Sequence, residues 1–211
     1  MNFYNKGLIQ ATIFSNCLCN SPYFDLNKFQ TDRLNNLVEN SRKLSLFYKK
    51  KFSHLPVGNV SLEEIPVSTK TELMEHFNSW ITNRSLNLSE IKKYLSNISN
   101  IGKPIFDKYL LMESSGSSGT PGIFLHDLKA VETYHALEAS RRANSSLINQ
   151  FLGHLYFREK LVYIGALNRH YAGIASILYS KKCYPPLKSI IKEVSIYSSK
   201  SKLAQTLNNR S

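Results

Sequence analysis

Ten consecutive residues hold the most suggestive polar chemistry of the chain: Glu113-Ser114-Ser115-Gly116-Ser117-Ser118-Gly119-Thr120-Pro121-Gly122. Glycines let a backbone turn so that its amides point inward, and the serine and threonine hydroxyls add donors able to wrap a polyphosphate. The segment is not a Walker loop, because no Gly-Lys-Ser/Thr follows at the required spacing, nor is it a dinucleotide G-x-G-x-x-G turn. Composition by itself also fits a flexible linker. The flanks favour the phosphate loop. Tyr109-Leu110-Leu111-Met112 and Ile123-Phe124-Leu125-His126 read as two strands, and a linker need not be held between two buried segments.

A second group surrounds His170, in the turn Asn168-Arg169-His170-Tyr171-Ala172-Gly173. Two readings stand side by side: a hydrogen-bonded structural histidine, or a ligand contact that the following small residues leave room for. His126, His135 and His154 lack metal-ligand spacing, and Glu138 with Arg141 and Arg142 reads as a charged helix face. No metal site is expected, and no catalytic residue is identified.

The elements that must carry these residues follow from periodicity and capping. Leu26, Phe29, Leu34, Leu37, Val38, Leu44, Phe47 and Tyr48 recur mostly at steps of three and four, which predicts one long amphipathic helix or two short ones up to Phe52. Ser61 with Glu64 and Thr69 with Glu72 form capping-box patterns, and helices are expected near 69–78 and 89–96. Asp127 is placed to cap a helix from about Leu128 to Leu152, with Val131, Tyr134, Leu137 and Glu138 on one face. Leu161–Gly165 reads as a buried strand, Tyr171–Tyr179 as a helix, Pro185-Pro186 as the start of a short helix, Glu193–Tyr197 as a strand and Lys202–Leu207 as a further helix. The fold class is therefore α/β, with residues 1–100 mainly helical and 101–211 carrying the sheet and the Ser/Gly loop, together one incomplete domain.

Composition sets the outer limits. The 211 residues carry 27 Lys and Arg against 15 Asp and Glu, a formal charge of +12, with 42% hydrophobic residues. That is a globular balance, not a disordered one. Cys17, Cys19 and Cys183 are an odd count without zinc-finger spacing, so free thiols in a reducing cytoplasm are expected, not a disulfide scaffold. No apolar run reaches a membrane span, and Leu8–Phe14 reads as a docking helix or strand in preference to a leader. Basic clusters at Arg42, Lys43, Lys49, Lys50, Lys51 and at Lys181, Lys182, Lys188, Lys192, Lys200, Lys202 attract polyanions. Lysines outnumber arginines 19 to 8 and no base-reading signature accompanies them, so specific nucleic-acid binding is not expected.

The loop Ser114–Pro121 resembles, position by position, the phosphate loop [ST]-S-G-[ST]-[ST]-G-x-P-K of the adenylate-forming enzymes. Leu46–Phe52, Ile65–Lys70 and Ile164–Gly173 are more weakly similar to the phenylacetate-CoA ligase and coenzyme F390 synthetase (CapK-like) branch, over roughly residues 26–211. The resemblance implies the N-terminal part of an adenylate-forming (ANL-type) large domain with a helical N-terminal segment. In that family a carboxylate attacks the α-phosphate of ATP, pyrophosphate leaves, and the acyl group passes to a thiol such as CoA. It further implies ATP and Mg2+ as cofactors, Ser114, Ser115, Gly116, Ser117, Ser118, Gly119 and Thr120 as phosphate contacts, and His170 near the acyl substrate. Gly122 departs from the family by standing where many members carry lysine, which removes a cation from the loop and weakens triphosphate binding unless Lys129, Arg141 or Arg142 compensates. The family's later motifs for adenine, ribose and the C-terminal domain are not found. The expectation is thus a truncated or split ligase, inactive alone or completed by a C-terminal polypeptide, with a non-catalytic nucleotide- or partner-binding protein as the alternative.

Overall fold

The structure is a computed structural model that describes residues 24–116, 119, 121–142 and 161–208. The segment Leu8–Phe14, Cys17, Cys19, Ser117, Ser118, Thr120, the expected helical stretch beyond Arg142 and His154 lie outside the described residues. Contacts divide the chain into two units. One comprises the described part of Pro22–Tyr94 with Gly116–Gly122, the other Leu95–Ser115 with the described part of Ile123–Ser211.

In the first unit, α1 (Leu26–Leu44) starts at Asp25, whose carboxylate accepts from the Lys28 amide at 2.9 Å. The helical pattern then breaks at Ser45, so of the two expected arrangements two helices form, with α2 spanning Leu46–Lys51. Ser45 is buried and extended (φ −109°, ψ 123°), which closes α1 and opens α2. Its Oγ accepts from the Tyr48 amide at 3.2 Å and donates to the Ser79 carbonyl at 3.1 Å, so one hydroxyl both caps a helix and ties down the joint.

Arg42 fixes the chain that follows. Its Nη2 donates to the carbonyls of Phe52 (2.8 Å) and Leu55, and Nε donates to Phe52 at 3.0 Å. Beneath this clamp Val38, Phe52, Leu55 and Val60 pack together with Tyr48 and Ile65. Val38 alone of the α1 leucines and valine is buried, whereas Leu26, Leu37 and Leu44 are exposed; the apolar face of α1 is narrower than its periodicity suggests.

Both capping boxes form. The one at Ser61 closes only a 3-10 turn, Leu62–Glu64, because Ile65 leaves the helical region ahead of Pro66. The box at Thr69 opens α3 (Lys70–Glu75), and the expected helix over 69–78 is divided at His76, with α4 covering Phe77–Trp80. Glu72 serves that cap and also receives Lys51 Nζ at 2.7 and 2.8 Å. The helix α5 spans Leu88–Leu95.

The second unit combines helices with two small sheets. Strands β1 (Tyr109–Glu113) and β2 (Ile123–Asp127) pair antiparallel from Tyr109 opposite Asp127 to Glu113 opposite Ile123. Asp127 caps α6 (Leu128–Arg142), accepting from the Ala130 amide at 2.7 Å. Strand β3 (Leu161–Gly165) is followed by α7 (Ala172–Cys183), α8 (Leu187–Ile190) and β4 (Ile191–Ser195), which returns parallel to β3; α9 spans Lys200–Asn208. Helix and small sheets are thus mixed, in keeping with α/β.

Ile101, Leu110, Met112, Val131, Ile174, Ala175 and Tyr179 form the core of this unit. Gly102, at φ +71°, lets the backbone meet α7: a Cβ there would lie 2.5 Å from Leu178 Cβ and 2.8 Å from the Tyr179 nitrogen.

Three expectations need correction. Strand β3 is not buried, since Leu161 and Ile164 are exposed. Strand β4 begins and ends two residues earlier than 193–197, because Ser195 turns the chain, its carbonyl accepting from Ser198 N (2.9 Å) and its hydroxyl from Tyr197 N (3.2 Å). On α6 the buried residues are Val131 and Ala136, whereas Tyr134, Leu137 and Glu138 are exposed, as His135 turns toward α7. No described helix is long and apolar enough to cross a membrane.

Candidate functional site: the Ser/Gly loop and the end of strand β1

The loop leaves β1 at Glu113 and rejoins β2 at Ile123. Within it Gly116 (φ +70°) and Gly119 (φ +111°) occupy conformations that side-chain-bearing residues rarely adopt, and the Gly119 amide donates to the Gly116 carbonyl at 2.9 Å. A Cβ on Gly116 would stand 2.9 Å from Pro121 Cγ and 3.1 Å from the Gly119 carbonyl oxygen, whereas one on Gly119 would meet nothing within 4 Å. The turn therefore requires glycine at 116 for space as well as for φ.

At the start of the loop, Glu113 gathers the second candidate group. Its amide donates to the His170 carbonyl at 2.7 Å, forming a parallel bridge to Tyr171. Its buried carboxylate accepts from Arg169 Nη2 at 2.9 Å and from the His170 amide at 3.3 Å. A polar group buried at the end of a strand needs such partners to offset the water it loses. Sequence reasoning missed this pair. Its signal is an acid ending an apolar strand and an arginine at the close of another strand's turn, which only tertiary pairing brings together.

His170 is 1% exposed. Burial pulls its imidazole below the usual pKa of 6.5, with Arg169 pushing the same way, against the Asn97 backbone bond and the Glu113 charge that raise it. The neutral ring is therefore the form favoured near neutrality. The His170 backbone is tied to Glu113 and its ring is enclosed.

The remaining candidates lie elsewhere. His126 is held below the usual imidazole range by burial and meets the Tyr134 ring edge-on at 5.5 Å. Burial does the same to His135, whose Nε2 is 2.7 Å from Ser176 Oγ and 3.4 Å from Ser180 Oγ, a bond between α6 and α7. Lys129 follows β2 in the first turn of α6. Arg141 and Arg142 close α6, and their side chains are outside what is described.

Among the described residues no group of three or more His, Cys, Asp or Glu could hold a metal ion. Cys183 is a free thiol whose pKa burial pushes up, which makes it less reactive. Compared with family models, curated proteins and solved structures, the chain matches none of them.

Proposed function

We propose that this chain is the phosphate-loop part of an ATP-dependent carboxylate-activating ligase, the N-terminal portion of an adenylate-forming domain. The observation that carries the reading is the Ser/Gly turn on the β1–β2 hairpin, with Gly116 and Gly119 at positive φ and an amide-to-carbonyl bond between them. Its sequence Ser114–Pro121 resembles the family's loop at each position.

In the proposed reaction a carboxylate oxygen bonds to the α-phosphorus of ATP, the bond from that phosphorus to the bridging oxygen breaks, and the electron pair leaves on pyrophosphate. Loop amides and hydroxyls hold the β- and γ-phosphates and offset the charge gathering there; a single preorganised donor of this kind is worth about 10²–10³ in rate. The acyl-adenylate then passes to a thiol such as that of CoA.

A second reading, a nucleotide-binding protein without catalysis, is favoured by Gly122, which leaves the loop without a cation of its own. Carboxylate-dependent ATP–pyrophosphate exchange with a panel of aryl and fatty acids separates the two. It is run on the chain alone and with any polypeptide encoded downstream. Exchange in either mixture, abolished by Gly116→Val, supports the ligase. Saturable pyrophosphate binding without exchange supports the second reading, and no binding of ATP or pyrophosphate overturns both.

A further inference from the structure

We infer that the cavity at the joint of α1 and α2 is a binding site for a phosphoryl dianion, carried by inorganic phosphate or by a small phosphate monoester. The inference is independent of the phosphate-loop reading, because every residue it uses lies between Glu39 and Val57.

The cavity measures about 380 Å³, within the range of small-ligand sites, which begins at roughly 300 Å³. It is lined by Glu39, Arg42 and Lys43 at the end of α1, by Lys49 on α2, and by Ser53 and Val57 in the turn that follows. Three cations thus face one carboxylate, and a concave wall with an excess of one sign concentrates the field that draws in the opposite charge.

The three cations are not equivalent. The Arg42 side chain is only 15% exposed, and each of its nitrogens is committed to Glu39 Oε1 or to the carbonyls of Phe52, Leu55 and Pro56. It contributes fixed charge and no donor. Lys43 and Lys49 are exposed, and among the described residues neither ammonium has a hydrogen-bond or ion-pair partner. Lys51 differs, because Glu72 holds its Nζ at 2.7 and 2.8 Å. Two ammoniums without a counter-ion, beside a fixed guanidinium, suit a group that carries two negative charges. Glu39 keeps Oε2 for a hydroxyl of the ligand, and Val57, 81% exposed, offers an apolar wall. Those last two contacts favour a monoester bearing a hydroxyl over free phosphate.

The test follows the amides of Lys43, Lys49 and Ser53 by NMR as inorganic phosphate, and separately glycerol phosphate, is added to the full chain. Saturable shifts at these residues are expected with both probes, at lower concentration with glycerol phosphate; equal concentrations would keep the site and remove the roles given to Glu39 and Val57. The double variant Lys43→Gln/Lys49→Gln is expected to weaken binding about tenfold to a hundredfold, the range for losing charge-assisted contacts. Lys28→Gln/Lys92→Gln lowers the net charge equally at exposed positions outside the cavity, and should change affinity by less than about threefold. Equal losses in the two double variants would show diffuse attraction to a basic surface and overturn the inference. Shifts spread evenly over Lys188, Lys192 and Lys200 as well, or no saturable shift with either probe, would overturn it too. Gly116→Val should leave the shifts at Lys43, Lys49 and Ser53 unchanged, so failure of this site and failure of the loop reading are told apart.

Discussion

Replacing Gly116 by alanine tests the loop with the smallest change that can disturb it. The new Cβ would sit 2.9 Å from Pro121 Cγ and 3.1 Å from the Gly119 carbonyl oxygen, at a φ of +70°. A strained backbone of this kind costs about 1–3 kcal/mol, and an extra carbon forced against neighbours that cannot easily retreat adds about 1–3 more. Relief requires the backbone at Gly116 and Gly119 to part, which strains the 2.9 Å bond from the Gly119 amide to the Gly116 carbonyl and changes the shape of the turn. Together these put the binding conformation about 2–6 kcal/mol out of reach, a loss of about 30-fold to more than 10⁴-fold in affinity. At Gly119 a methyl meets nothing within 4 Å, so only the φ of +111° opposes it and the expected loss is about 5- to 150-fold. Calorimetric titration with pyrophosphate measures both variants, and circular dichroism melts check that the rest of the chain is unchanged. If Gly116→Ala binds within about threefold of the unaltered chain, the loop does not act in the conformation described, and the argument from its glycines fails.

Gly102→Ala should destabilise the chain by about 2–5 kcal/mol in denaturant unfolding, since positive φ and a contact with α7 backbone act together; a loss under about 1 kcal/mol contradicts this. Arg42→Ala removes a guanidinium that holds the carbonyls of Phe52, Leu55 and Pro56 and pairs with Glu39, with an expected cost of about 2–4 kcal/mol. Arg42→Lys should recover little, because a point charge cannot reach several carbonyls at once, and full recovery would show that charge alone matters. Burial keeps the imidazoles of His126, His135 and His170 below 6.5. As pH falls the unfolded chain therefore binds protons first: the stability these groups give is complete above about pH 6.5 and is lost on acidification through their lower folded pKa values. Guanidinium unfolding should show a lower midpoint at about pH 5 than at about pH 7.5, and an equal or higher midpoint at the acid value would contradict the assignment.

What could be read from the sequence was mainly local. The Thr69–Glu72 box, the Asp127 cap and the two apolar runs around the loop each depend on residues within a few positions of one another, and each forms. The break at Ser45 was open between two arrangements because its hydroxyl reaches the Ser79 carbonyl, a partner that periodicity cannot supply. Exposure on β3 escaped notice for a related reason: an apolar run identifies a strand without saying what covers it, and Leu161 and Ile164 are left uncovered. At the site, the glycine positions were legible from residue type. The Glu113–Arg169 pair, 56 residues apart, was not, and neither was the enclosure of His170.

The two ladders differ in how far the chain must travel to close them. Strands β1 and β2 are joined by the loop Ser114–Gly122 alone, whereas Leu161 finds Ile191 only after α7 and α8 have been traversed. Loop-closure entropy grows by about 0.6 kcal/mol for each doubling of length, and pairings between distant residues come late in folding. The hairpin is accordingly expected to zip first and the parallel ladder afterwards. Core truncations in β4, such as Val194→Ala, should then mainly speed unfolding, while truncations in β1, such as Leu110→Ala, slow refolding. The Ser/Gly turn would take shape with the hairpin, ahead of the parallel strand pairing.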